Sequence, residues 1–253
     1  MKEKLKSYLI IIAYLIIGII VMGTTHLLKI PDWLNSAYIL LSLFIIVNIL
    51  TANVFQLNNE IRIFWSIRKI YFLLIGVSVG VIIAVSPILI GLIIGKATIN
   101  ELILNTAFNV KSIILTLSIV TWEELWFRGI FLNHCNKKLS ATNISITIGL
   151  LFMLAHLLNP EINIIKTGPI LFFAGAFLTI IYFYFKTIWL PIGVHFGNNF
   201  LIIESKLDNH WFFGNEGYLG AIILAGFFLL FVKLTLKKRY PTRLSHNSKL
   251  SQI

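Results

Sequence analysis

The sequence predicts an all-α, polytopic membrane protein with about eight transmembrane helices and both termini in the cytosol. Of its 253 residues, 58% are apolar and only 12% are charged, whereas a soluble domain carries about 25% charged residues. The apolar residues form continuous runs, which excludes the alternating strands of a membrane barrel. The basic residues lie between these runs, so the net charge of +11 indicates a membrane surface and no nucleic-acid partner.

Each predicted span is an apolar stretch close to the ~20 residues that cross the hydrocarbon core. The first stretch is too long for a cleavable signal peptide, and no small-residue cleavage site follows it. We find no internal repeat and no linker that would separate a second domain. The predicted spans are Ser7–Leu28, Ala37–Phe55, Ile70–Ile94, Lys111–Leu132, Asn143–Leu158, Gly168–Phe185, Ile188–Ile203 and Leu219–Leu236.

The distribution of positive charge predicts the orientation. With the N-terminus in the cytosol, sixteen of the 21 Lys and Arg residues fall in cytosolic segments and the other five fall outside. An even number of spans also returns the basic C-terminus to the cytosol. The chain then divides into motif-free helices over residues 1–110, helices with unusual polar residues over 111–203, and the last span with a basic cytosolic tail over 204–253.

Three charged residues lie inside the fourth predicted span. Glu123 and Glu124 are adjacent, and Arg128 follows Glu124 by four residues, so Glu124 and Arg128 share a helix face and can pair. Glu123 projects roughly 100° away around the helix and has no partner in its own span. A buried carboxylate costs several kcal/mol unless it is paired, hydrated or protonated. The alternative to a functional site is a buried ionic network that only fixes helix packing.

Further polar residues lie in the fifth and seventh spans. His195 and Asn199 are four residues apart on one helix face, and His156 lies in the fifth span, four residues after Phe152. At 1.5 Å per residue, these groups and Glu123 lie roughly 10–20 Å from the cytosolic ends of their spans. One water-filled cavity can therefore hold them, although a lone membrane histidine is often only a hydrogen-bonding residue.

Carboxylates and imidazoles without a bound cofactor suit proton transfer and the activation of water. Other intramembrane protease chemistries lack their residues: the chain has no H-E-x-x-H helix and no aspartate within a predicted span. The single cysteine, Cys135, excludes a disulfide framework and a thiolate metal cluster. A G-x-S-x-G match at Gly76, Ser78 and Gly80 lies in an apolar helix without a preceding strand, which predicts small-residue helix packing.

Three short motifs occur in order, each on its own predicted span. Residues 123–128 match E-E-x-x-x-R, residues 152–156 match F-x-x-x-H, and residues 195–199 match H-x-x-x-N. Over roughly Lys111–Ile203 the chain therefore resembles the CPBP intramembrane proteases, which include type II CAAX prenyl endopeptidases and bacteriocin-processing or Abi proteins. The resemblance implies a hydrolase that cleaves peptides at or in the membrane.

The resemblance also implies a role for each motif residue. Glu123 would be the base for the attacking water, with His156 assisting it. Glu124 and Arg128 would orient the site.

The third motif would supply the oxyanion site, because His195 and Asn199 can both donate hydrogen bonds. Zinc held by Glu123, His156 and His195 is an alternative. The absence of a compact ligand motif favours metal-free catalysis.

The expected partner is a membrane-associated peptide or protein in the lipid bilayer of a cell membrane. The short loops and the abundance of Ile, Leu, Lys and Asn are typical of a prokaryotic protein, which makes prenylated CAAX substrates a poor fit. Bacteriocin processing, self-immunity, peptide signalling and envelope anchoring all stay open. Two other classes also stay open: a proton-coupled transporter, whose spans Pro87 and Pro191 could break, and a catalytically idle scaffold or immunity protein.

Overall fold

The computed structural model of the protein describes a subset of its residues. The predicted second span and both termini lie outside this subset, as does most of the first span, so the orientation stays a prediction. The described residues are 24, 27–31, 34, 66–96, 103–104, 110–132, 140–156, 163–200, 203–204, 212 and 217–239.

The described part of the chain is helical, as predicted, apart from one two-residue strand pair. Strand β1 (Ile103–Leu104) pairs with β2 (Ile203–Glu204) in antiparallel register. Helix α2 continues directly into a π-helix over Leu125–Phe131. Six complete α-helices lie in the described residues: α1 (Tyr71–Ile93), α2 (Val110–Glu124), α3 (Ala141–Ala155), α4 (Ile164–Phe185), α5 (Trp189–Phe200) and α6 (Tyr218–Arg239).

Three helices in the described residues are long and apolar enough to cross a membrane. They occupy Ile67–Ile93, Ile164–Phe185 and Tyr218–Lys237. Exposed apolar side chains such as Leu74 and Ile82 line α1, as expected of a helix in lipid. Helix α2 carries three charges, α3 has 15 residues and α5 has 12. The predicted count of eight spans therefore remains a prediction.

Prolines do not interrupt the helices that contain them. Pro87 lies inside α1, where it cannot donate to the carbonyl oxygen of Ile83; the Ser86 hydroxyl donates to that oxygen instead, at 3.1 Å. Pro169 similarly leaves the carbonyl oxygen of Ile165 without its usual donor, and the Tyr218 hydroxyl donates to it at 3.1 Å. Pro191 lies in the first turn of α5. Pro87 and Pro191 therefore do not break the helices that contain them, as the transporter alternative would allow.

Contacts at the helix ends define the helix directions. Lys69, just before α1, donates to the carbonyl oxygens of Phe185 and Lys186 at 3.2 and 3.0 Å. Lys186 adopts the left-handed conformation (φ 52°, ψ 50°) and ends α4. The rings of Phe185 and Phe231 lie 5.8 Å apart. Helices α4 and α6 therefore run parallel to each other, and α1 runs antiparallel to both.

A crossing of glycines brings α1 against α5. Gly76 and Gly80 on α1 face Gly193 and Gly197 on α5, and a Cβ atom at any of the four would collide with backbone of the other helix. At Gly76, such an atom would lie 2.5 Å from the carbonyl oxygen of Leu190. The two backbones thus touch without intervening side chains, as in other small-residue crossings of membrane helices. The G-x-S-x-G match is confirmed as a packing motif.

Candidate active site

The first motif forms a buried ion pair within one helix. Arg128 Nη1 donates to Glu124 Oε1 at 2.9 Å, and both side chains are 0% exposed. The pair spans the junction between α2 and the π-helix, a feature that is frequent at functional sites. The pairing predicted from the spacing of the two residues is therefore observed.

Helix α4 holds the other side of the Arg128 guanidinium. Arg128 Nη2 donates to the carbonyl oxygen of Gly175 at 2.7 Å, and Arg128 Nε donates to Thr179 Oγ1 at 3.3 Å. The Thr179 hydroxyl in turn donates to the Gly175 carbonyl oxygen at 2.8 Å. The guanidinium also lies over the Phe152 ring, 5.5 Å from its centroid. The cation is thus fixed by hydrogen bonds in its plane and by an aromatic ring on its face.

His195 lies between the two adjacent carboxylates. Its Nδ1 is 2.9 Å from Glu124 Oε1, and its Nε2 is 3.7 Å from Glu123 Oε2. Because a carboxylate can only accept, the Nδ1 proton belongs to this hydrogen bond whenever Glu124 is ionised. The Nε2 atom is then the ring atom that remains for chemistry. The glycines at 193 and 197 flank His195, so the α1–α5 crossing fixes the height of this ring.

Phe152 connects the two histidines. Its ring is 4.7 Å from the His156 ring and 5.8 Å from the His195 ring, and the residue is 2% exposed. His156 donates from Nδ1 to the Phe152 carbonyl oxygen at 2.8 Å, which leaves its Nε2 with a free lone pair. Phe152 is therefore a buried packing residue between the two histidines.

Asn199 lies at the accessible edge of this cluster. It is one turn beyond His195 on α5, it is exposed, and its Oδ1 accepts from Asn198 Nδ2 at 3.3 Å. The Asn199 amide nitrogen therefore remains available as a donor. Among the described residues, no hydrogen bond joins Asn199 or His156 to the carboxylates, so the structure brings Glu123, Glu124, Arg128 and His195 together directly and places the other two beside them.

The two carboxylates differ in their surroundings. Glu124 is fully buried, whereas the Glu123 side chain is 24% exposed. Within the described part of the protein, Glu123 Oε2 and Glu124 Oε2 have no hydrogen-bond partner, and neither does the indole nitrogen of Trp126. Glu123 is therefore the one of the two carboxylates whose side chain is partly exposed, and a base for water requires such access.

The zinc alternative would use Glu123, His156 and His195. Among the described residues, no three His, Cys, Asp or Glu side chains are grouped so that they could hold a metal ion. The hydrogen bonds that occupy Nδ1 of His156 and of His195 leave one ring nitrogen on each.

Two parts of the site were not predicted. Nothing in the apolar pattern of α4 distinguishes Thr179 from the other threonines of the chain, and its role depends on contact with another helix. The π-helix after Glu124 was also missed, because its apolar sequence resembles an ordinary helix. The adjacent polar residues of the three motifs were the only signal for the site.

Comparison with protein families gives one result. The family model described as type II CAAX prenyl endopeptidase Rce1-like matches residues 105–201, which contain helices α2 to α5 and all seven motif residues. No curated protein and no solved structure matches the chain. Residues 105–201 are therefore similar to the Rce1-like type II CAAX prenyl endopeptidases, which is the resemblance that the three motifs predict.

Proposed function

We propose that the protein is an intramembrane endopeptidase that hydrolyses a peptide bond of a membrane-associated peptide or protein with an activated water. The observation that carries the proposal is the position of His195, whose ring lies between a buried carboxylate and an accessible one. The family match over the same residues supports it.

In the first step, Glu123 is the base. Its carboxylate takes a proton from water while the water oxygen forms a bond to the carbonyl carbon of the substrate. The electron pair of the C=O bond moves to oxygen and makes an oxyanion. His156 assists, because its Nε2 can accept a hydrogen bond from the same water.

The oxyanion is then held by donors on α5. In the imidazolium form, His195 donates Nε2–H while Glu124 holds Nδ1, and Asn199 donates from its amide nitrogen. The C–N bond breaks as the oxyanion collapses, and Glu123 passes its proton to the departing amine. The products are a carboxylic acid and an amine. Glu124 and Arg128 do not meet the substrate in this scheme and orient His195.

We assign no step to zinc, because the described geometry does not supply a three-ligand site. The nucleophile in this proposal is water activated by a carboxylate. Metal analysis and chelation test this choice directly, as set out below.

The substrate class follows from the membrane setting. The site lies among helices with exposed apolar faces, so the proposed substrate is a peptide anchored in or on the lipid bilayer of a cell membrane. A prokaryotic peptide substrate, from bacteriocin processing, self-immunity, signalling or envelope anchoring, fits the composition better than a prenylated CAAX protein. We propose neither nucleic acid nor a soluble partner.

The decisive experiment is reconstitution into liposomes with a library of membrane-anchored peptides, with new termini detected by mass spectrometry. We expect cleavage by the wild type and none by a folded Glu123→Ala protein. Ser78→Ala is the matched control: Ser78 lies in the G-x-S-x-G match but is exposed and donates to the Leu74 carbonyl oxygen, so its removal should leave cleavage unchanged. A transporter predicts proton-coupled flux without cleaved product, and a scaffold predicts neither. Wild-type cleavage by folded Glu123→Ala would refute the mechanism.

A further inference from the structure

Thr179 differs from Thr167 and Thr235 in the hydrogen bonds of its hydroxyl. Many threonines in helices donate to the carbonyl oxygen four residues earlier. Thr167 does so on α4, and Thr235 does so on α6, at 2.9 and 2.7 Å. Thr179 also accepts a hydrogen bond from a charged side chain, that of Arg128.

The hydroxyl of Thr179 has one proton and two lone pairs. Its proton is donated to the Gly175 carbonyl oxygen, so a lone pair is left to accept from Arg128 Nε. The same carbonyl oxygen accepts from Arg128 Nη2. The Thr179 hydroxyl oxygen and the Gly175 carbonyl oxygen thus form a two-point acceptor for Nε and Nη2, the two donors on one edge of the guanidinium.

This acceptor is connected to the reacting groups through three successive contacts. It fixes the plane of Arg128, whose Nη1 donates to Glu124 Oε1. The same Oε1 atom accepts from His195 Nδ1. Thr179, Arg128 and Glu124 are each 0% exposed, so no solvent replaces a lost contact along this path.

We infer that Thr179 is a positioning residue for the proposed reaction, acting through Arg128 and Glu124 on the orientation of the His195 ring. The expected effect of Thr179 on turnover rests on the proposed function. The expected effect on the orientation of the His195 ring is independent of that function.

The test compares three variants of the full-length protein. Thr179→Val keeps the shape and removes the acceptor, Thr179→Ser keeps the hydroxyl, and Thr167→Val removes an equivalent backbone-bonded hydroxyl from the same helix. A displacement of order 1 Å at a catalytic group can cost about 10²-fold in rate. We therefore expect Thr179→Val to lower kcat by about 10- to 100-fold with little change in KM, while Thr179→Ser and Thr167→Val stay near the wild type.

A second readout does not depend on activity. We would measure the rate at which diethyl pyrocarbonate modifies His195, resolved by mass spectrometry. The rate in Thr179→Val should differ from that in wild type. The rates in Thr179→Ser and Thr167→Val should equal the wild-type rate. If wild type cleaves nothing but the labelling pattern holds, the proposed function fails and the positioning role stands.

Other outcomes overturn the inference. Equal losses in Thr179→Val and Thr167→Val would show a general effect of removing helix hydroxyls. A change in Thr179→Ser as large as the change in Thr179→Val, in both readouts, would show that the hydroxyl by itself does not position Arg128. Unchanged labelling of His195 in a folded Thr179→Val protein would remove the proposed path.

Discussion

Two sides of one helix turn carry carboxylates that are adjacent in sequence but opposite in surroundings. On the enclosed side, Glu124 is 0% exposed and bonds Arg128 and His195, both at 2.9 Å. On the open side, Glu123 is 24% exposed, and its Oε2 lies 3.7 Å from His195 Nε2. The roughly 100° step between neighbouring helix residues produces this separation.

The difference assigns separate tasks to chemically identical groups. The enclosed side is held from α4 and α5 by a chain of hydrogen bonds, so it suits the positioning of His195. The open side has a carboxylate whose side chain is partly exposed, so it suits contact with water and substrate. Five predictions test this division, from the largest expected effect to the smallest.

The open side should carry the largest effect on turnover. Glu123→Gln removes the base but keeps the shape, so we expect the cleavage rate to fall by about 10²–10⁴. Folding should be retained, because the side chain is partly exposed and makes no close hydrogen bond. Single-turnover cleavage and thermal unfolding in detergent measure the two effects. A strongly destabilised Glu123→Gln protein would show that this side is also structural.

A change on the enclosed side should lower the stability of the folded protein. Arg128→Ala leaves Glu124 buried without its charge partner, and breaking such a pair costs about 3–5 kcal/mol. We expect a lower Tm and folded yield as well as slower cleavage. Arg68→Ala, at an exposed position just before α1, is the control and should change stability by less than about 0.5 kcal/mol. Equal stability of the two variants would contradict a dry ion pair.

Asn199 tests the oxyanion site on the open edge. Removal of one such donor costs about 10²–10³ in rate, so Asn199→Ala should keep measurable activity and normal folding. Asn198→Ala is the neighbouring control, because its amide contacts only Asn199 among the described hydrogen bonds. Steady-state cleavage rates compare them. A larger loss of cleavage rate in Asn198→Ala than in Asn199→Ala would show that Asn199 is not the oxyanion donor.

The α1–α5 crossing should affect cleavage because it sets the position of His195 along the bundle axis. A Cβ atom at position 76 would lie 2.5 Å from the Leu190 carbonyl oxygen, so Gly76→Ala must separate the helices. Overpacking of this kind costs about 1–3 kcal/mol, and we expect slower cleavage with it. Gly226→Ala on α6 meets nothing within 4 Å and should be neutral. The Tm and the cleavage rate are measured for both variants. Equal values for Gly76→Ala and Gly226→Ala would show that the crossing does not position His195.

Metal removal should have the smallest effect. If Glu123 activates water without zinc, dialysis against a strong chelator leaves the cleavage rate unchanged, and elemental analysis finds no stoichiometric zinc. Loss of activity that stoichiometric zinc restores would instead favour a metal-bound water.

Local spacing predicted those contacts that lie within one helix. The four-residue interval predicts the Glu124–Arg128 pair because one α-helical turn places such residues side by side. The glycines at 76 and 80 predict a close helix approach for a similar reason. The helical class and the resemblance that the family model matches over residues 105–201 also followed from the sequence.

Contacts between helices were beyond such reasoning. Nothing in the sequence pairs Thr179 with Arg128, or aims His195 Nδ1 at Glu124 and Nε2 at Glu123. Nor does the sequence show that Asn199 lies at an exposed edge while His156 is linked through Phe152. Each of these depends on which helices touch and at what height.

The sequence by itself determined the membrane class, the three motifs and the pairing inside α2, because composition and helix periodicity act over a few residues. The tertiary structure decided which of two neighbouring glutamates is enclosed. That choice follows from the contact of two glycine-bearing backbones, which sets the height of His195 against α2, and from the α4 acceptors that fix Arg128. Interhelical distances of this kind are set by packing across the whole bundle, which no local pattern encodes.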